Sequence, residues 1–152
     1  MWENYFVNSS KPRTISISDT LRDSLDKYTI DKGCTIQDIF NNALITLWRI
    51  YNGQTESNKA KNPITESMVR NILNNNPMPK SKKKKTIAIA FRGKNTFEWV
   101  CSIEDLYMVH GTEDFIRRSL SYYMRKKGYL VDDIAAKNKK ELEKELEIDT
   151  IE

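Results

Sequence analysis

Asp38-Ile39-Phe40-x-x-Ala43-Leu44-x-x-Leu47-Trp48 recurs 76 positions later as Asp114-Phe115-Ile116-x-x-Ser119-Leu120-x-x-Tyr123-Met124. In both copies the apolar residues fall at helical spacing, so each copy reads as one face of an amphipathic helix. A Gly-containing turn with a capping Thr precedes each copy, at Gly33-Cys34-Thr35 and at Gly111-Thr112. Further upstream each has a shorter apolar-periodic segment and a short alternating Ile strand. The repeated unit is therefore strand, helix, helix, which is too small to bury a core of its own.

Working outward, the first unit covers 12–51 and the second 86–128. Arg13-Thr14-Ile15-Ser16-Ile17-Ser18 alternates with period two, as a half-buried strand does. Ser18 or Asp19 caps the helix that follows, with Leu21, Leu25 and Tyr28 inward, and Gly33 ends it as a left-handed residue. Thr35 caps the next helix, which runs to about Tyr51 with Ile36, Ile39, Phe40, Ala43, Leu44, Leu47 and Trp48 on its apolar side.

The second unit opens on Thr86-Ile87-Ala88-Ile89-Ala90-Phe91. Matching Ile89 and Phe91 to Ile15 and Ile17 leaves two extra residues, which the Arg92-Gly93-Lys94-Asn95 turn accommodates. Thr96 caps a helix with Phe97, Val100, Cys101 and Leu106 inward, ending near His110 and Gly111. Thr112 caps the last core helix, which reaches about Lys127 and stops at Gly128.

Between the units, 52–85 reads as a linker rich in Asn, Lys, Ser and Pro. Within it Ile64, Met68, Ile72 and Leu73 suggest a short helix, ended by Pro77, Pro79 and the Lys82–Lys85 run. Residues 1–11 form an arm carrying Trp2, Tyr5 and Phe6, and 129–152 form a charged C-terminal helix and tail, helical over Ala135–Leu146.

A lone unit leaves its strand edge unpaired and its helix faces bare. Two units solve both problems when their strands pair antiparallel and their helices share one core. The expected fold is mainly α with a two-stranded antiparallel ribbon, the two units of one chain forming a pseudo-dimer. An extended chain spans roughly 3.3 Å per residue, so the linker reaches easily.

Composition excludes several classes. No apolar run approaches the roughly 20 residues that cross a bilayer. The start, Met1-Trp2-Glu3-Asn4-Tyr5, lacks the pattern of a signal peptide, and Cys34 and Cys101 suggest no disulfide framework, so a cytoplasmic location is expected. His110 is the only histidine, and no CxxC, phosphate-cradling Gly-rich loop or paired-carboxylate pattern is present. The expectation is no enzyme, no metal and no cofactor.

Charge is uneven. Residues 1–62 carry eight basic against seven acidic side chains, 63–129 thirteen against six, and 130–152 four against eight. A basic middle suits a polyanion, although a Lys run is equally the mark of a solvated linker.

Thr14-Ile15-Ser16-Ile17-Ser18-Asp19-Thr20-Leu21, followed by Gly33-x-Thr35-x-x-Asp38-Ile39-Phe40-x-x-Ala43-Leu44, resembles the pattern of the ribbon-helix-helix (MetJ/Arc) DNA-binding superfamily. The tandem form resembles the ribbon-helix-helix proteins of plasmid and T-DNA transfer systems. The resemblance implies a double-stranded DNA partner whose major groove receives the ribbon. Outward side chains would then meet base edges: Thr14, Ser16, Thr86, Ala88 and Ala90. The plain alternative for these is the wet face of an edge strand, and for Ala88 and Ala90 it is the stronger one. The family's usual outward Arg, Asn or Gln is missing, which lowers the expected sequence specificity.

The helix N-termini at Gly33-Cys34-Thr35 and Gly111-Thr112-Glu113 would hold phosphates. Lys11, Arg13, Lys84, Lys85, Arg92 and Lys94 would add salt-dependent attraction. The implied role is a transcriptional regulator or an accessory factor of plasmid conjugation or partition, monomeric as a pseudo-dimer, with further assembly on DNA left open. The competing reading is an antitoxin-like adaptor that binds a protein partner through the acidic tail, with Leu142, Leu146 and Ile148 as its stripe.

Overall fold

The computed structural model describes residues 12–51, 63–90 and 112–140. It is mainly helical with one two-stranded antiparallel sheet. In chain order the elements are β1 (Arg13–Ser18), α1 (Asp19–Lys32), α2 (Ile36–Tyr51), α3 (Pro63–Asn74), β2 (Lys84–Ile89) and α4 (Thr112–Lys126). A further helical stretch covers 133–140. The N-terminal arm, the expected helix from Thr96 with Phe97, Val100, Cys101 and Leu106, His110, and the tail beyond 140 lie outside the described residues. No helix among the described residues is long and apolar enough to cross a membrane.

The ribbon follows its alternation. Ile15, Ile17, Ile87 and Ile89 are buried, while Thr14, Ser16, Thr86 and Ala88 are exposed. Ile15 lies directly opposite Ile87, Ser16 opposite Thr86 and Thr14 opposite Ala88. Across the ribbon Ile17 faces Lys85 and Ile89 faces Arg13, and Phe91, matched to Ile17 in the repeat, lies outside the described residues. β2 also starts at Lys84, inside the stretch read as linker. Lysine backbone pairs as well as any other, and its long stem lets the ammonium stay in water beside the sheet. Lys84 pairs with Ser18 and Lys85 with Ile17, which lengthens the ladder.

Helix ends follow local chemistry. The Ser18 hydroxyl accepts from the Leu21 N–H at 3.4 Å, capping α1. Gly33 closes α1 at φ 63°, ψ 39°, a conformation that costs other L-residues strain. Thr35 and Asp38 form a reciprocal capping box: the Asp38 N–H donates to Thr35 Oγ1 at 3.1 Å, and the Thr35 N–H to Asp38 Oδ2 at 3.0 Å. α4 ends where expected, with Gly128 at φ 80° and the Tyr129 N–H returning to the Met124 carbonyl at 2.9 Å.

α2 and α4 pack against each other with matching faces. Ile39, Phe40, Ala43, Leu44 and Leu47 are buried, as are Phe115, Ile116, Ser119, Leu120 and Tyr123 at the positions 76 residues on. The match fails at the next position, where Met124 is fully buried but Trp48 is 50% exposed. Ile50, one helical step beyond Leu47, takes the inward place instead. α3 is more than a spacer. It packs on both α2 and α4 and buries Val69 and Leu73 in the shared core.

Arg125, with its side chain only 3% exposed, ties the end of α4 to the connector and to the C-terminal stretch. Its guanidinium donates to both oxygens of Asp132, to Asn76 Oδ1 at 3.2 Å and to the Pro77 carbonyl at 2.8 Å. Asp132 in turn caps the terminal stretch by accepting from the Ala135 N–H at 2.9 Å. Burial pushes the Asp132 carboxyl up, but the Arg125 hydrogen bonds and the Ala135 N–H outweigh it and hold it below its ordinary range.

A carboxyl depressed by folding contributes stability above its unfolded pKa, and this is lost as pH falls through the lower folded value. Asp132→Asn keeps the cap and removes the charge. It is expected to lower stability at pH 7 by about 2 kcal/mol and to flatten the loss of stability expected of the wild type below about pH 4. Urea titrations of both proteins across acid pH check this. Parallel pH profiles would show that the pair contributes nothing.

Candidate nucleic-acid interface

The outer face of the ribbon presents small groups. Thr14, Ser16 and Thr86 offer hydroxyls, Ala88 a methyl, and all four are exposed. Such groups suit base edges chemically: a hydroxyl donates or accepts, and a methyl packs on a thymine methyl. Lys84 belongs to the same face. It sits two positions before Thr86, opposite Ser18, so its direction is outward and not flanking as expected from the linker assignment.

Ala90 does not belong there. It is 1% exposed, and its N–H donates to Gln37 Oε1 at 2.7 Å while its carbonyl accepts from Gln37 Nε2 at 2.8 Å. The α2 amide thus stands in for a strand partner at Ala90. Ala90 is therefore removed from the outward set.

Side chains also reach the outward carbonyls at the middle of the ribbon. Ser16 and Thr86 lie opposite each other, and each points its carbonyl outward, away from the partner strand. Arg117 Nε donates to the Ser16 carbonyl at 2.8 Å, and Arg22 Nη1 donates to the Thr86 carbonyl at 2.7 Å. One guanidinium therefore stands on each flank of the ribbon at its midpoint. Arg22 is also held by Asp26 at 2.8 Å, an i,i+4 pair. Neither arginine, nor Gln37, stands out in the sequence. Arg22 and Arg117 each follow a buried apolar residue on their helices, but the partners of all three lie 53 to 101 residues away.

The helix N-termini are less open to an anion than expected. The Cys34 N–H donates to the Thr29 carbonyl at 3.2 Å, and the Thr35 N–H is taken by Asp38. Both groups of that turn are thus satisfied internally, and the Asp38 carboxylate already occupies the positive end of α2. The Cys34 thiol is pushed up by burial and then by Asp38, so it stays protonated at neutral pH. α4 starts at Thr112 with Glu113 and Asp114 in its first turn. Glu113 faces Arg13 at 3.7 Å and Asp114 pairs with Arg118 at 2.6 Å.

The cations beside the ribbon are Arg13, Lys84 and Lys85, all exposed, with Arg22 and Arg117 on its edges. Lys11, Arg92, Lys94 and Gly111 lie outside the described residues. Among the described residues no group of His, Cys, Asp and Glu is placed to hold a metal ion. No model of a known protein family, no curated protein and no solved structure matches the chain.

Proposed function

We propose that the chain binds double-stranded DNA by laying the β1–β2 ribbon in the major groove, as a transcriptional regulator or an accessory factor of plasmid conjugation or partition. The observation that carries this reading is the ribbon's outer face: exposed Thr14, Ser16, Thr86 and Ala88, with Lys84 on the same face and Arg22 and Arg117 on the edges. A two-stranded ribbon fits a groove about 12 Å wide, and small side chains let its backbone approach the bases.

In this reading the halves act as a pseudo-dimer. Support comes from the matched burial of α2 and α4 and from strands that pair across the chain's two halves. The outer face is unequal, however: Ser16 faces another hydroxyl at Thr86, but Thr14 faces the Ala88 methyl. It therefore suits an asymmetric site better than a palindrome.

Titration of duplex DNA libraries at several salt concentrations tests the proposal. Binding should weaken steeply as salt rises, since phosphate contacts release counterions. Lys84→Ala is expected to cost about 1–3 kcal/mol at one G·C pair near an end of the site and little elsewhere. Lys85→Ala should weaken all sequences alike. No binding at about 50 mM salt, or binding insensitive to salt, would sink the proposal.

A further inference from the structure

Resting on the DNA-binding reading, we infer that Arg117 is a ligand for a backbone phosphate on one wall of the groove, and that Arg22, its counterpart across the ribbon, is not. The two arginines hold equivalent places. Each comes from a helix, and each donates to the outward carbonyl of one member of the Ser16–Thr86 pair. The strands of a ribbon are about 4.8 Å apart. Guanidiniums beyond its two edges therefore reach the walls of a groove about 12 Å wide, where phosphates line the rim.

Their surroundings differ. Arg22 spends Nε on Asp26 Oδ1 and Nη1 on the Thr86 carbonyl, so a carboxylate 2.8 Å away neutralises it. Arg117 uses Nε on the Ser16 carbonyl, and its two terminal nitrogens take no hydrogen bond among the described residues. That is the fork a phosphate takes in a two-bond contact. The acidic residue one turn before Arg117 is Glu113, and Arg13 lies 3.7 Å from it. No carboxylate pairs with Arg117 among the described residues, whereas Asp26 pairs with Arg22. The Ser16 carbonyl fixes the guanidinium before DNA arrives, which lowers the entropy lost on contact.

The test is the salt dependence of duplex binding, read with thermal stability, for Arg117→Gln, Arg117→Lys and Arg22→Gln. Arg117→Gln is expected to reduce the slope of log affinity against log salt by about 0.9 and to weaken binding about tenfold at low salt. Arg117→Lys, which keeps the charge, should restore most of the slope. Arg22→Gln should lower the melting temperature and leave the slope as in the wild type. An unchanged slope in Arg117→Gln, or an equal loss in Arg22→Gln, overturns the assignment while DNA binding itself stands. A wild-type chain that binds no duplex overturns both.

Discussion

Truncating Phe115 to Ala is expected to destabilise the protein by about 3–5 kcal/mol, and Phe40→Ala by a similar amount. Both rings are completely buried, one on α4 and one on α2, and these helices pack against each other. Small domains hold only about 5–15 kcal/mol in total, so either variant approaches its unfolding midpoint near room temperature. The informative part is the shape of the transition. If the halves share one core, each variant shifts a single cooperative transition in urea, whichever half carries it. A curve in which Phe115→Ala leaves a separate first-half transition at its wild-type position would refute a shared core.

Ala88→Glu addresses the interface with the opposite profile. Ala88 is exposed on the outer face opposite Thr14, so the new carboxylate meets water in the free protein. Stability should change by no more than about 0.5 kcal/mol. On DNA the same carboxylate faces acceptor-rich base edges between two lines of phosphate. Like-charge contact of this kind costs several kcal/mol, which corresponds to an affinity loss on the order of 10²–10³-fold. Fluorescence anisotropy with a labelled duplex measures it, and Ala88→Lys serves as the sign control. Equal affinities for wild type and Ala88→Glu would place any DNA contact away from the ribbon.

The alternation of Ile15 and Ile17 against Thr14 and Ser16 was enough to read the ribbon. Gly33 and Gly128 marked their helix ends because only a left-handed residue closes those turns. The repeat also carried the core, since Phe40 and Phe115 sit where a helical stripe puts them. The strand register was harder to read. Ile87 and Ile89 fit one period, but only the partner strand shows that Ile15 faces Ile87 while Ile17 faces Lys85.

Lys84 was hidden by its composition, because a lysine in a four-lysine run looks like linker until a partner strand extends it. The site was least legible where it depends on distant partners. Gln37 on Ala90 and Arg117 on Ser16 join residues 53 and 101 apart, and no local pattern announces such a contact. The cap at Thr35 was legible as a cap. The reciprocal bond from its own N–H to Asp38 follows from the Thr35-x-x-Asp38 spacing of a capping box.

The side chains along the ribbon's margins set how this protein can associate with its own kind. Strand addition needs a row of vacant backbone groups, and it is the common route by which small sheets recruit neighbours or run on into fibres. Here a third strand beside β1 would have to displace Arg117 from Ser16 and Met78 Sδ from the Ser18 N–H. Beside β2 it would have to displace Arg22 from Thr86 and Gln37 from Ala90. Among the described residues, adding a strand at either margin therefore costs side-chain hydrogen bonds already made, which disfavours growth of the sheet.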